Sequence, residues 1–480
     1  MAASAPTPHA PGSPAEGRCG YYVAKKRRFC RLVAAAGRRF CGEHAGAAEE
    51  ENARKRILCP LDPKHTVYED QLAKHLKKCN SREKPKPDFF IQDINAGLKD
   101  ETEIREQLVP ISSLPEEQLE NLIKKLKRAS EGLSSALKDQ ILSHPALHDA
   151  LNDPKNGDSA TKHLKQQASI LGNIEKLKLL GPRRCFVEFG AGKGKLSHWV
   201  DIALKDAEKV HFILVEKVTT RFKVDGKHKK KDSVFERLQI DIQHLCLNKI
   251  PVLSREKLPV VGIGKHLCGE ATDLALRCLV ETYGASCEER NEEPSAKRIK
   301  NDKTDEEMNT MAQEGSGNNV PEKWTPVAGI VIALCCHHRC DWRHYVGRDY
   351  FRARGLGAVE FHYFQRMSSW ATCGMRDSSV DASGVPTGQG DQSDNSEDHD
   401  DGGHGATDSH ADSPPGCLPV EEKKKLGHLC KLLIDQGRVE YLRQKGFRPE
   451  LQYYTDPAVS LENVLLTALP GQPSPAEATA

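Results

Sequence analysis

The segment Phe186–Ser197 has the sequence FVEFGAGKGKLS, and it decides how the rest of the chain is interpreted. Its first four residues predict a buried strand, the alternating glycines predict a tight turn, and Leu196 and Ser197 begin a helix. Glycine adopts positive φ angles without strain and lets the backbone approach a ligand closely. A strand, a glycine turn and a helix in this order predict a cofactor-binding loop in an α/β domain.

The spacing of the glycines narrows the choice of cofactor. Gly190, Gly192 and Gly194 form a Gly-x-Gly-x-Gly pattern. The common dinucleotide fingerprint has a different spacing, and the segment lacks the Gly-Lys-Ser/Thr ending of a P-loop. The pattern therefore favours neither of these two motifs.

Acidic residues accompany the first three predicted strands. Glu188 lies just before the glycines, Glu216 ends the second strand, and Asp241 lies near the end of the third. A carboxylate at Glu216 can accept hydrogen bonds from both ribose hydroxyls of an adenosine, while Asp241 is placed to reach the adenine and Glu188 the amino acid part of a cofactor. These acids and the glycines favour S-adenosylmethionine, and an NAD-binding domain is the nearest alternative.

Short apolar strands alternate with helical stretches beyond Pro182, which predicts a parallel α/β sheet. We interpret residues 181–470 as a Rossmann-like methyltransferase domain, with disordered polar insertions at about 286–322 and 376–418. A helix at Lys423–Lys445 and a last strand at Asn463–Ala468 follow. The five main predicted strands are Arg184–Phe189, His211–Glu216, Arg237–Ile242, Val260–Gly264 and Gly329–Leu334.

The loops after the fourth and fifth strands supply the candidate catalytic residues, because open α/β sheets bind substrates at the carboxyl ends of their strands. Lys265 could stabilise a developing alkoxide, and His337 or His338 could accept a proton. Each of the three could instead be a buried, hydrogen-bonded loop residue. A metal is disfavoured here, since neighbouring residues of a strand such as Cys335 and Cys336 point to opposite faces.

A four-ligand zinc site is predicted near the N-terminus by Cys59-x5-His65-x9-His75-x3-Cys79. Structural zinc sites take four cysteine or histidine ligands in a closed tetrahedron. A helix predicted at Tyr68–Lys78 would place the last two ligands one turn apart. We therefore interpret residues 56–83 as a CHHC-type zinc finger.

A second zinc module is predicted at residues 18–48, with Cys19, Cys30, Cys41 and His44 as ligands in a CCCH pattern. Both modules are too small to bury a sizeable core, so the metal would supply their folding free energy. Residues 1–90 carry 18 Lys and Arg against 10 Asp and Glu, which suits binding to phosphates. The modules would present basic residues to phosphates, among them Lys25, Lys26, Arg27, Arg28, Lys77 and Lys78.

The remaining N-terminal segments are predicted to be a tail and a spacer. Residues 1–17 are rich in Ala, Pro and Gly and indicate a disordered tail. Residues 84–180 are interpreted as a helical, coiled-coil-like spacer because Leu119, Leu122 and Leu126 recur with helical spacing.

Composition indicates an intracellular protein located in the nucleus, the cytoplasm or both. The 480 residues include 16 cysteines, and the chain shows neither a signal-peptide pattern nor an apolar run long enough to span a membrane. Reduced thiols and metal ligation are therefore favoured over disulfides. The net charge of +2 is unevenly spread, and no feature indicates a protein partner.

Three motifs together resemble a known family: EFGAGKGKLS at 188–197, GKHLCG at 264–269 and ALCCHHRC at 333–340. Together with the two Cys/His clusters that precede them in the sequence, these motifs are similar to those of the eukaryotic tRNA ribose 2′-O-methyltransferases that modify the fourth acceptor-stem nucleotide. The CHHC cluster also resembles a finger of an RNA-splicing protein. The resemblance implies S-adenosylmethionine as methyl donor, structural zinc, and the acceptor stems of glycine, proline and histidine tRNAs as substrates.

Two alternatives to this enzyme remain open at the level of sequence. One is a zinc-finger nucleic-acid-binding protein with an inactive methyltransferase-like domain, although the complete Gly190, Gly192, Gly194, Glu216 and Asp241 set disfavours it. The other is methylation of a base or a protein side chain. A loop of Asn/Asp-Pro-Pro-aromatic type would favour an exocyclic amine as acceptor, and the fourth strand is followed by Lys-His instead.

Overall fold

A computed structural model of the chain divides into two compact units, Met1–Lys86 and Pro87–Ala480. The predicted tail, apart from Gly17, and the two predicted insertions, apart from Leu418, lie outside the described residues. The structure describes residues 17–23, 28–34, 36–41, 44, 56–79, 81–82, 85–97, 108–133, 137–205, 207–218, 234–285, 326–372 and 418–471.

The N-terminal unit contains two small antiparallel hairpins. Strands β1 (Tyr22–Val23) and β2 (Arg28–Phe29) form the first, and β3 (Arg56–Cys59) and β4 (Asp62–Tyr68) form the second. Helix α1 (Leu72–Leu76) follows β4 after a short 3-10 turn, so it covers only part of the predicted helix. The buried apolar cluster beside each hairpin consists mainly of cysteines, which agrees with folding driven by a metal.

The C-terminal unit is organised around one eight-stranded sheet. Its order is β5-β11-β12-β10-β9-β6-β7-β8, in which β10, β9, β6, β7 and β8 are parallel and β12 is antiparallel to both its neighbours. The sheet is therefore mixed, whereas the sequence predicts a parallel sheet. Its strands are β5 (Lys138–Asp139), β6 (Arg184–Phe189), β7 (Val210–Glu216), β8 (Val234–Gln239), β9 (Val260–Cys268), β10 (Val327–Cys335), β11 (Phe447–Tyr453) and β12 (Val464–Pro470).

Helices cover both faces of this sheet, and two apolar clusters fill the space between the sheet and its helices. None of the helices in the described ranges is long and apolar enough to cross a membrane. A π-helical segment, Cys278–Ala285, directly follows the α-helix that ends at Arg277. The α-helices are α2 (Glu116–Ala129), α3 (His148–Leu151), α4 (Asp158–Lys176), α5 (Lys195–Ala203), α6 (Pro251–Glu256), α7 (Glu270–Arg277), α8 (Arg348–Arg352), α9 (Ala358–Met367) and α10 (Val420–Gln444).

The segment predicted as a coiled-coil-like spacer is instead part of the C-terminal unit. Leu122 and Leu126 of α2 belong to an apolar cluster with Phe351 and Phe361, while α4 contributes Ile170 to a cluster under the sheet. Strand β5 pairs with β11 at one edge. Helical spacing of leucines establishes that one face needs burial, but it does not identify the partner, and here the partner is the body of the domain.

The parallel part of the sheet gathers the candidate residues at one edge. Strands β6 to β10 end, in chain order, at Phe189, Glu216, Gln239, Cys268 and Cys335. The carboxyl ends of parallel neighbours meet at one edge, so the loops that follow these residues lie side by side. The glycine loop begins at the central strand of this group, β6.

Candidate cofactor site and metal centres

The glycine loop adopts the backbone conformation that its sequence predicts. Gly190, Gly192 and Gly194 have φ angles of 61°, 49° and 72°, in the left-handed region. A Cβ atom added at Gly194 would lie 2.6 Å from Cδ2 of Leu214, whereas one added at Gly192 would have nothing within 4 Å. Gly194 therefore satisfies internal packing, and Gly192 borders open space that a ligand can enter.

Glu216, at the end of β7, lies against this loop. Its Oε2 accepts a hydrogen bond from the backbone N–H of Gly192 at 2.9 Å, and its Oε1 accepts one from Val218 N–H at 3.0 Å. Each carboxylate oxygen has a second lone pair, so both can still accept a hydrogen bond from a ribose hydroxyl. These two acceptor oxygens therefore fit the ribose of an adenosine cofactor.

Glu188 is more buried than a residue that contacts a cofactor directly would be. Its carboxylate is 3% exposed and accepts hydrogen bonds from the backbone N–H and the hydroxyl of Ser197, in the first turn of α5. Burial raises the pKa of Glu188 to about 7, even though the two Ser197 hydrogen bonds and the charge of Arg237 act in the opposite direction. Glu188 thus fixes the helix that follows the glycine loop.

Asp241 lies just beyond β8, where it caps a short 3-10 turn. Its Oδ1 accepts a hydrogen bond from Gln243 N–H at 3.0 Å, and its Oδ2 lies 2.7 Å from Nζ of Lys217. Burial tends to raise the pKa of Asp241, but the hydrogen bonds from Lys217 and Gln243 and the positive charge of Lys217 lower it. The carboxylate is therefore held ionised next to the end of β7.

Arg237 of β8 supports the loop and was not identified from the sequence. Its Nη1 donates a hydrogen bond to the carbonyl oxygen of Gly192 at 3.0 Å. An added Cβ at Gly194 would lie 3.0 Å from Nη2 of the same side chain. An arginine in a half-buried strand carries no sequence signal for this contact, which depends on the register between β7 and β8.

Lys265 is buried next to the end of β6. It follows Gly264, where an added Cβ would lie 3.4 Å from the carbonyl oxygen of Phe189. Lys265 is 6% exposed, and its Nζ donates a hydrogen bond to Nδ1 of His163 at 3.0 Å. His163 belongs to α4, in the segment interpreted as a spacer, so no sequence pattern connects the two residues.

The predicted histidines His337 and His338 have different environments. His337 is buried, and its Nε2 lies 2.8 and 2.9 Å from the two carboxylate oxygens of Asp435. Its Nδ1 has no hydrogen-bond partner among the described residues. His338 is exposed at the same edge of the sheet, and partial burial of its ring lowers its pKa more than the nearby Cys336 raises it.

A buried ion network fixes His337. Asp435 also accepts a hydrogen bond from Nη1 of Arg438 at 2.9 Å, and Nη2 of Arg438 lies 2.6 Å from Asp273 Oδ2 and 3.2 Å from the carbonyl oxygen of Gly269. Arg438 is 1% exposed. The network connects α10 with α7, with Gly269 after β9 and with the loop after β10 that carries His337 and His338, and sequence analysis identified only its histidine. Lys265 lies within β9, and not in the loop predicted to follow that strand.

The CHHC ligands converge as predicted. Sγ of Cys59 and Sγ of Cys79 are 3.8 Å apart, and Nε2 of His75 lies 3.2 Å from Cys59 Sγ and 3.1 Å from Nε2 of His65. Sulfur ligands at 2.3 Å from a tetrahedral zinc are about 3.8 Å apart. The four donor atoms therefore fit a closed structural zinc site.

The CCCH ligands also form one group. Nδ1 of His44 lies 3.5 Å from Cys19 Sγ and 3.3 Å from Cys41 Sγ, and all four donor atoms, including Cys30 Sγ, lie within 4.8 Å of one another. The ring of Tyr21 stacks on His44 with centroids 3.9 Å apart, which orients the imidazole. Both predicted ligand sets can thus hold zinc.

Two Cys/His modules ahead of an α/β sheet with a glycine loop at its carboxyl edge define a zinc-finger protein with a cofactor-dependent enzyme domain. Three family models match: "Methyltransferase TRM13" over residues 165–469, "CCCH zinc finger in TRM13 protein" over 17–45 and "U11-48K-like CHHC zinc finger" over 56–80. The chain belongs to the TRM13 methyltransferase family, which confirms the resemblance.

Curated relatives match this chain over nearly its whole length. The chain is 83% identical to "tRNA:m(4)X modification enzyme TRM13 homolog" of Homo sapiens over 100% of both chains, and 79% identical to the Mus musculus protein of the same name over 99% of both. It is 28% identical to "tRNA:m(4)X modification enzyme TRM13" of Saccharomyces cerevisiae, over 94% of this chain and 95% of the yeast protein. No solved structure matches.

Proposed function

We propose that this protein transfers a methyl group from S-adenosylmethionine to the ribose 2′-hydroxyl of the fourth nucleotide of a tRNA acceptor stem, with glycine, proline and histidine tRNAs as substrates. The hydrogen bond between Gly192 and Glu216 at the carboxyl edge of the sheet is the observation that carries the proposal. Membership of a methyltransferase family and the tRNA-modifying names of its relatives support it.

The order of the parallel strands supports a Rossmann-like fold for the methyltransferase domain. Taken along the sheet, β8, β7, β6, β9 and β10 are the third, second, first, fourth and fifth strands of the domain in chain order. This is the order of five strands in the Rossmann fold, in which the cofactor lies where the order reverses. The glycine loop follows β6, at that point of reversal.

Gly190, Gly192, Gly194, Glu216 and Asp241 would hold the cofactor in this proposal. Glu216 accepts hydrogen bonds from the ribose hydroxyls, Asp241 recognises the adenine edge, and the glycines allow close approach of the backbone. Glu188 does not contact the cofactor in this proposal but fixes the first turn of α5, which follows the loop, by accepting hydrogen bonds from Ser197. When bound, S-adenosylmethionine supplies an electrophilic methyl group on a positively charged sulfur.

The acceptor hydroxyl would be activated by Lys265 of β9 and by the loop after β10. We assign proton acceptance to His338, because its ring is exposed and its lowered pKa keeps it neutral at physiological pH. Lys265 stabilises the developing negative charge on the oxygen, with His163 fixing its ammonium group. His337 is a positioning residue that holds this loop through Asp435.

The two zinc modules would bind the tRNA. The predominance of Lys and Arg over Asp and Glu in residues 1–90 provides the sequence-independent attraction to phosphates. Their zinc ions have only protein ligands, so the modules contribute affinity and placement of the acceptor stem, while the methyl transfer belongs to the α/β domain.

The proposal is tested by incubating the purified protein with labelled S-adenosylmethionine and total tRNA, then locating the methyl group by nuclease digestion and mass spectrometry. We expect a 2′-O-methyl nucleotide at the fourth position of the acceptor stem. Transfer to a base, or no transfer by a protein that binds the cofactor, would contradict the assigned acceptor. Absence of cofactor binding would instead favour a zinc-finger RNA-binding protein with an inactive domain.

The catalytic residues are tested in the same assay with Lys265→Ala and His338→Ala. We expect each to lower turnover by about 10²–10⁴-fold while leaving cofactor affinity, measured by calorimetry, nearly unchanged. Lys209→Ala provides a matched control, because Lys209 precedes β7 at the opposite edge of the sheet. Equal losses in turnover and in cofactor affinity would contradict a chemical role.

A further inference from the structure

Three cysteines converge where β9 and β10 end, in the C-terminal unit and apart from both zinc modules. Cys268 and Cys335 are the last residues of the two strands and are paired in register, with their Sγ atoms 3.6 Å apart. Cys336 follows directly, and its Sγ completes a group in which all three sulfur atoms lie within 4.8 Å of one another.

The backbone of Cys336 explains how neighbouring cysteines reach the same point. Alternation along a strand would send Cys335 and Cys336 to opposite faces of the sheet, which is why the sequence disfavoured a metal here. Cys336 lies beyond the strand, however, with φ of 50° and ψ of 45°. This left-handed conformation is uncommon for a residue with a Cβ atom, and it turns the side chain back toward Cys268 and Cys335.

The two loops that carry the cysteines are fixed to each other. Gly269 has a φ of 57°, and an added Cβ there would lie 2.4 Å from the backbone of Arg339. Arg438 lies 3.2 Å from the carbonyl oxygen of Gly269 and 3.2 Å from Sγ of Cys340, so one buried side chain contacts both loops. The three sulfur atoms therefore belong to a prearranged group.

The spacing of this group matches that of a zinc site. The 3.6 Å between Cys268 and Cys335 compares with 3.8 Å between the two cysteines of the CHHC module, and sulfur ligands of a tetrahedral zinc are about 3.8 Å apart. Among the side chains that the structure describes, which do not include that of His266, no fourth Cys, His, Asp or Glu donor joins the group.

We propose that Cys268, Cys335 and Cys336 bind one Zn²⁺ ion as three thiolates and leave its fourth coordination position to water or to a substrate group. Thiolates are ligands that select zinc, and three protein ligands with one open position are typical of zinc sites that contact substrate. The site is independent of the proposed methyl transfer, but it lies at the edge of the sheet where that reaction would take place.

The test is the zinc content of the full chain, purified under reducing conditions with zinc and then freed of excess metal. We expect three zinc ions per chain by inductively coupled plasma mass spectrometry. Cys336→Gly should lose one ion, because glycine keeps the left-handed backbone and removes the side chain together with its sulfur. Cys268→Ser should also lose one. Cys246→Ala, at a buried cysteine outside the group, should keep all three.

Cobalt substitution gives a second measurement that does not depend on activity. The cobalt-loaded parent should show sulfur-to-cobalt charge-transfer absorption, and Cys336→Gly should lose the part contributed by this site. Two zinc ions in the parent, or equal zinc content in the parent and in both cysteine variants, would overturn the proposal.

Discussion

The carboxylate of Glu216, at the end of β7, accepts a hydrogen bond from the backbone N–H of Gly192, in the loop after β6. One acidic side chain thus fixes the glycine loop and keeps lone pairs free for a ligand. The second strand of the domain thereby determines the geometry of a loop that belongs to the first.

Glu216→Ala should weaken S-adenosylmethionine binding by roughly 10- to 100-fold, because it removes hydrogen bonds to a charged acceptor. Isothermal titration calorimetry measures the change. Glu256→Ala is the matched control: Glu256 lies 3.4 Å from His211 near the start of β7, at the opposite edge of the sheet. If both variants bind the cofactor as the parent does, Glu216 is not a ligand.

Gly192→Ala and Gly194→Ala should separate ligand binding from packing. Both impose about 1–2 kcal/mol of backbone strain at positive φ, and only Gly194→Ala adds an overlap with Leu214. Thermal unfolding without cofactor should therefore show the larger destabilisation for Gly194→Ala, whereas Gly192→Ala should mainly reduce cofactor affinity. The reverse order of stabilities would contradict the assigned roles.

Glu188→Gln should change how stability depends on pH. The pKa of Glu188 is raised to about 7 in the folded protein, so this residue favours folding least at high pH, where the buried carboxylate must be ionised. Its contribution is fully present below the unfolded pKa near 4.5 and is lost as pH rises through 7.

The difference in unfolding free energy between Glu188→Gln and the parent should therefore move in favour of the variant by about 2 kcal/mol between pH 5.5 and 8. Denaturant titrations without cofactor at each pH measure it. Glu208→Gln, at an exposed residue just before β7, serves as a control for the substitution itself. A flat difference for Glu188→Gln would show that its pKa is not raised.

Cys59→Ser should unfold the CHHC module, because a small module without its metal lacks the free energy to fold. We expect weaker tRNA binding in filter-binding measurements, with a smaller dependence of affinity on salt, and unchanged cofactor binding by the C-terminal unit. Addition of a zinc chelator to the parent should have the same effect. If tRNA affinity survives both treatments, the module has another role.

Arg438→Leu should destabilise the C-terminal unit by about 3–5 kcal/mol, because it removes the arginine from the buried carboxylates of Asp273 and Asp435 and leaves Asp435 with His337 alone. Arg443→Ala is a matched control on the same helix, since its ion pair with Glu440 is exposed, and it should change stability by less than about 1 kcal/mol. Denaturant unfolding measures the loss of stability in each variant, and similar losses would mean that the network contributes little to the stability of the unit.

The sequence predicts those parts of the site whose residues are close along the chain. Both zinc ligand sets and the glycine loop follow from local spacing, and Glu216 follows from its place at the end of a strand. The partners of the candidate catalytic residues do not. His163 reaches Lys265 from a distant helix, and Asp435 reaches His337 from another, because tertiary packing and not spacing brings them together.

Two features of the fold could not be predicted from sequence patterns. The leucines of α2 establish an apolar face, but their packing against Phe351 and Phe361 depends on elements more than two hundred residues later. Alternation along β10 correctly describes the strand and fails one residue past its end, at Cys336. Periodicity predicts where side chains point only within regular elements.

The pairing of β12 between β10 and β11 has a consequence for biosynthesis. β12 is the last strand in the described part of the chain, and it lies inside the sheet, while β5 pairs with β11 across about 300 residues. During translation the parallel strands can associate early, but the sheet is complete only when Val464–Pro470 has left the ribosome. Until then, β10 exposes an apolar edge, and a stalled or truncated chain would be a substrate for chaperones.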